Sequence, residues 1–166
     1  MRAIWKTRLA MGALWCTLGG VVGCPNTDAA VFVDLSIENP SAAVQTSVLA
    51  TAVSGSFDLL LHLGPRATDS SEVTLRELSI MNDDLTTTVV SPLAVTTDPA
   101  FPVTVAVDSD VVVNIEFAAA DNEVEASAVD LLCDPGGIVI SGAFDDSLED
   151  ALKSVSSWPF QVSGCP

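Results

Sequence analysis

From Val31 onward apolar and polar residues alternate with period two, in short runs punctuated by Gly, Pro, Asn and Asp, and this restricts the chain to paired strands. Val31, Val33, Leu35 and Ile37 share one face, with Asp34, Ser36 and Glu38 opposite, and Asn39-Pro40 is expected to stop that strand. Phe57, Leu59, Leu61 and Leu63 repeat the pattern up to Gly64-Pro65. The stretch Val73 to Ile80 changes phase between Leu75 and Leu78, which predicts a bulge near Arg76 and Glu77. Leu85 to Val90 is a further strand candidate. Val103, Val105 and Val107, then Asp108-Ser109-Asp110, then Val111, Val113, Ile115 and Phe117 predict a β-hairpin over Pro102 to Phe117. Val124 to Cys133 and Ile138 to Ile140 predict two more strands around the turn Asp134-Pro135-Gly136-Gly137. Seven or eight short strands without long helices make an all-β sandwich or barrel. One segment departs from period two. Leu148, Ala151, Leu152 and Val155 fall at helical spacing behind Asp146, with Glu149 three residues on, and predict a short C-terminal helix.

The first residues have a different character. Arg2, Lys6 and Arg8 precede an uncharged run from Leu9 to Val22 that ends in small residues, the layout of an export signal. The run is too short to span a bilayer comfortably, since a spanning helix needs about 20 predominantly apolar residues. Its end, Val21-Val22-Gly23-Cys24, resembles the bacterial lipobox, in which the cysteine thiol receives diacylglycerol and the chain is cut before it. The resemblance implies that residues 1–23 are removed and that Cys24 becomes the lipid-bearing first residue. Of the four cysteines, Cys16 then leaves with the signal and Cys24 carries lipid, so Cys133 and Cys165 remain as an even pair suited to a disulfide in an oxidising compartment. Pro25, rather than Asp, follows Cys24, which favours the outer over the inner membrane. Residues 25–29 reach only roughly 20 Å when stretched, so the domain is expected to sit close to the bilayer.

All 22 acidic residues follow Cys24, but of the six bases only Arg66, Arg76 and Lys153 do, which leaves 3 − 22 = −19 on that part of the chain. Such a charge opposes binding to nucleic acid and adsorption to anionic lipid, both of which demand a basic footprint. The wealth of Val, Leu, Ile and Ala separates the chain from disordered acidic segments. The expected organisation is a signal at 1–23, a tether at 24–29, a sandwich at 30–144, and a helix with a disulfide-tied tail at 145–166.

Three strands carry a family resemblance. Val73 to Asn82, Asp110 to Phe117 and Ile138 to Gly142 resemble strands of the bacterial Ig-like domains of the abnormal-spindle and HYDIN, choice-of-anchor D type, although the usual Gly after the Asn and Pro after the Phe are missing. The resemblance implies an Ig-like antiparallel sandwich used for interaction or spacing, with no catalytic residues to carry over.

The chain is poor in reactive constellations. His62 is its single histidine and lies opposite the apolar face of its strand. No Gly-x-Ser-x-Gly elbow, zinc-ligand spacing or phosphate loop is present. The one cofactor worth weighing is calcium, which takes six to eight oxygen ligands. If Val111 to Phe117 paired with Val124 to Leu131, then Asp108, Asp110 and Asp134 would meet at one end of the sheet. Trp158 and Phe160, flanking Pro159, are expected to cover the end of the core. Val31 to Ile37 is a candidate edge strand guarded by Asp34 and Glu38. These features predict a non-catalytic, lipid-anchored envelope module, acting structurally or through a protein partner. The competing expectation is an envelope lipoprotein that binds calcium or a small ligand.

Overall fold

The structure, a computed structural model, describes residues 30–47, 51–119, 124–125 and 127–165. The lipobox and Cys24 lie outside them. Nine strands and one short helix follow in order: β1 (Asp34–Thr46), β2 (Thr51–Leu63), β3 (Ser71–Asn82), β4 (Thr88–Val90), β5 (Ala94–Asp98), β6 (Val103–Val105), β7 (Ser109–Ala119), α1 (Ala128–Leu132), β8 (Ile138–Asp146) and β9 (Lys153–Ser156). One antiparallel sheet runs β1-β2-β7-β5. The other runs β4-β3-β8-β9, with β6 sharing the β4 edge of β3. The first order corresponds to the ABED sheet of an immunoglobulin sandwich and the second to its CFG sheet with an added edge strand.

The alternation builds the core as expected. Phe57, Leu59, Leu61 and Leu63 of β2 and Val113, Ile115 and Phe117 of β7 face Leu78 and Ile80 of β3 and Ile138, Ile140 and Phe144 of β8, all buried. The anticipated bulge is present as a register shift between Leu75 and Glu77 against β8. Asn39-Pro40 does not end β1. Asn39 takes a left-handed φ of 52° and the strand resumes after a register shift between Glu38 and Ser41, so the Asn-Pro signal produced a bulge within a longer strand.

Three expected elements are corrected. Pro102 to Phe117 is not a hairpin: β6 pairs with β3 and β7 pairs with β2 and β5, so the chain changes sheet at Asp108, whose φ is 58°. Both halves alternate correctly, but a period-two pattern fixes which side chains point inward, not which neighbour supplies the hydrogen bonds. Val124 to Cys133 is not a strand. Its buried residues Val124, Ala128 and Leu132 recur every four residues, the period of the helical turn that α1 contributes. The helix expected behind Asp146 is also absent. Glu149 N–H reaches Asp146 O, one turn forms, and the chain then enters β9, where Val155 pairs with Gly142. The edge of β8 offers residues 153–156 a ladder of backbone partners that a short helix there would leave unpaired.

The segment after residue 144 is therefore part of the sandwich rather than an appendage. β9 extends the second sheet, Phe160 bridges to Ile138, and Ser163 bridges to Ala43 of β1 in the first. Gly164, with a φ of 80°, lets the tail pass so near β1 that a Cβ there would lie 2.3 Å from Val44 O. Cys133, at the end of α1, is joined by a disulfide to Cys165, with Cα atoms 5.6 Å apart.

Candidate functional site

The described chain enters the sandwich at its most polar buried point. Asp146 ends β8 and is 3% exposed. One of its carboxylate oxygens accepts from the N–H of Val33 at 2.8 Å. The other accepts from the Ser71 hydroxyl and from the N–H of Leu148 at 3.0 Å. Lys153 Nζ stands 3.5 Å from the carboxylate and 3.1 Å from Glu149, and it donates to Val33 O at 2.6 Å. Both backbone groups of Val33 are thus held by side chains from residues 146 and 153. Burial pushes the Asp146 carboxyl up, but the Ser71 hydroxyl, the Leu148 and Val33 N–H groups and the Lys153 charge outweigh it and hold the group below its ordinary value. The carboxylate is ionised in the folded protein at neutral pH, which suits its four donors.

This latch belongs to the end of the sandwich where residues 33, 63, 71, 109 and 146 lie side by side across the two sheets. At the opposite end Ser163 N–H donates to Ala42 O and Val44 N–H to Ser163 O. The β1 side of the sandwich is therefore closed at both ends, once by charged side chains and once by backbone.

The calcium arrangement expected from Asp108, Asp110 and Asp134 is not formed. Asp108 and Asp110 lie at the latch end, next to Val105, which pairs with Ser71 at the start of β3. Asp134 lies beyond Ile138, which pairs with Asn82 at the other end of β3. Eleven strand residues separate the two places, or roughly 36 Å at about 3.3 Å per residue. The misplaced step was the pairing of residues 111–117 with residues 124–131. Asp134 instead accepts from Gly136 N–H at 2.7 Å and closes its own turn, and Asp110 approaches His62 Nδ1 at 2.7 Å across the β2–β7 register. No group of three or more potential metal ligands occurs among the described residues.

His62 lies opposite the core face, as its position in the alternation required. Phe160 packs partly against the core, but Trp158 is 85% exposed and does not cover it. β1 is an edge of its sheet. Asp146 and Lys153 carry no motif, and Asp146, expected from its spacing to Glu149 as a helix cap, instead ends β8. The available signal was scarcity, since Lys153 is one of only three bases after Cys24. No family model, curated protein or solved structure matches the chain.

Proposed function

We propose that the chain is a non-catalytic module of the bacterial cell envelope, anchored by lipid on Cys24 and acting as a structural or protein-interaction element. The observation that carries this reading is a lipobox-like Val21-Val22-Gly23-Cys24 followed, after a very short tether, by a sandwich whose backbone at Val33, just before β1, is pinned by Asp146 and Lys153. A load applied through the anchor would reach the latch before any strand pairing of β1. The end remote from the anchor carries Asp83, Asp84 and Asp134 around the loops next to Asn82 and Ile138, which favours a basic partner surface. A strong acidic charge also keeps copies apart and soluble above the membrane.

Mass spectrometry of protein extracted from membranes tests the reading. The expected result is an N-terminal peptide beginning at acylated Cys24, and a Cys24→Ser variant that leaves the membrane fraction. An unmodified Cys24 in membrane-purified protein would refute the anchor.

A further inference from the structure

The latch end of the sandwich also gathers apolar side chains that the fold does not cover. Val31 is 43% exposed, Phe32 39%, Val107 38% and Leu152 60%. Val31 and Phe32 precede β1, Val107 precedes β7 and Leu152 precedes β9, so all four project from one end rather than along a face. Lys153 Nζ lies 5.4 Å from the centroid of the Phe32 ring, with its charge already matched by Glu149 and Asp146. The same end is where the chain departs toward Cys24. Residue 30 is six positions from that cysteine, a reach of roughly 20 Å.

We propose that this end is a seat on the lipid surface, with Phe32, Val31 and Leu152 entering the headgroup layer and the sandwich standing upright on the bilayer. The proposal rests on the lipid anchor at Cys24, because the tether then holds these side chains against the membrane at all times. A chain so acidic would not adsorb to a membrane from solution. Held there by the tether, it brings Val31, Phe32 and Leu152 down and leaves the loops of Asp83, Asp84 and Asp134 at the outer end. Asp34, Asp69, Asp108, Asp110, Asp145 and Asp150 surround the seated end and restrict the surface to neutral headgroups, since anionic lipid would repel them. The lipid then does for this end what a core does for buried strands: it removes aromatic and aliphatic surface from water while Lys153 keeps its amine at the polar boundary.

Beyond Cys24 the chain has one tryptophan, Trp158, which permits a direct test. The full lipoprotein is reconstituted in phosphatidylcholine vesicles whose acyl chains carry bromine, and flotation with the vesicles reports the anchor separately. Phe32→Trp in a Trp158→Phe background is expected to lose about half its emission relative to unbrominated vesicles, since residues seated in an interface reach about 5 to 10 Å into the headgroup and acyl boundary. Native Trp158, further along the edge of the second sheet, is expected to be unaffected. Val31→Trp in the same background gives a second probe if Phe32→Trp perturbs folding. Protein that floats while both probes stay unquenched overturns the seat and leaves the anchor standing. Emission shifts that depend on protein density without bromine quenching assign the patch to a second copy and also overturn it. Protein that does not float overturns both readings.

Discussion

Replacing Asp146 by Ala should be among the most damaging single changes in the described protein. It removes the acceptor for Val33 N–H, the Ser71 hydroxyl and Leu148 N–H, and strips Lys153 of one of its two carboxylates. Removing one partner of a buried ion pair costs about 3 to 5 kcal/mol, and hydrogen bonds to a charged group are worth about 1.5 to 3 kcal/mol each. Lys153 keeps Glu149 and the carbonyl of Val33, so the lower figure applies, about 3 kcal/mol. A midpoint shift of roughly 3 to 4 °C per kcal/mol for a domain of this size gives a fall of about 10 °C. Urea unfolding followed by circular dichroism at neutral pH measures the loss. Lys153→Met, which leaves Asp146 its three uncharged donors, should cost less, about 1 to 2 kcal/mol. An Asp146→Ala loss under about 1 kcal/mol, or a Lys153→Met loss exceeding it, would refute the view that the carboxylate is the hub.

Because the folded Asp146 carboxyl titrates below its unfolded value, its contribution is complete above the unfolded value and disappears as pH falls through the folded one. Urea midpoints of the native protein should therefore decline as pH falls below the ordinary carboxylate value of about 3.9, and Asp146→Asn should flatten part of that decline. Cleaving the Cys133–Cys165 disulfide, whose sequence separation is 32, should lower stability by about 3 to 4 kcal/mol, read as the urea midpoint with and without reductant. Gly55→Ala should cost about 1 to 3 kcal/mol in the same assay, because the new Cβ would lie 2.1 Å from Ser41 O and 2.4 Å from Phe117 Cζ, where β1 and β7 press on β2. A neutral Gly55→Ala would mean that the β1 bulge can yield.

The residues that face the core were legible because inward direction is a local property of a strand. Leu59, Leu61, Val113 and Ile115 could be placed from their own neighbours in sequence, and the Leu75–Glu77 bulge appeared as a break in phase. Pairing was less legible. The residues of β6 and β7 read as one hairpin because nothing local distinguishes a turn from a passage between sheets. α1 was not legible, although Val124, Ala128 and Leu132 fall at its spacing, because a helix of five residues is too short to establish a period. The calcium arrangement failed with the pairing on which it depended.

The amino-acid sequence by itself determined the all-β class, the inward-facing residues of the core and the acidic charge. Each follows from composition or from side-chain period, whereas the pairing of Cys133 with Cys165 was only what the lipobox resemblance implied until the structure joined them. Only the tertiary structure decided that β6 and β7 lie in different sheets, that residues 153–156 form an edge strand, and that Asp146, Ser71, Lys153 and Val33 meet. Those contacts join positions more than 70 residues apart, and such partners are chosen by the hydrogen-bond ladder and the close packing of the assembled sheets, which no short window of sequence contains.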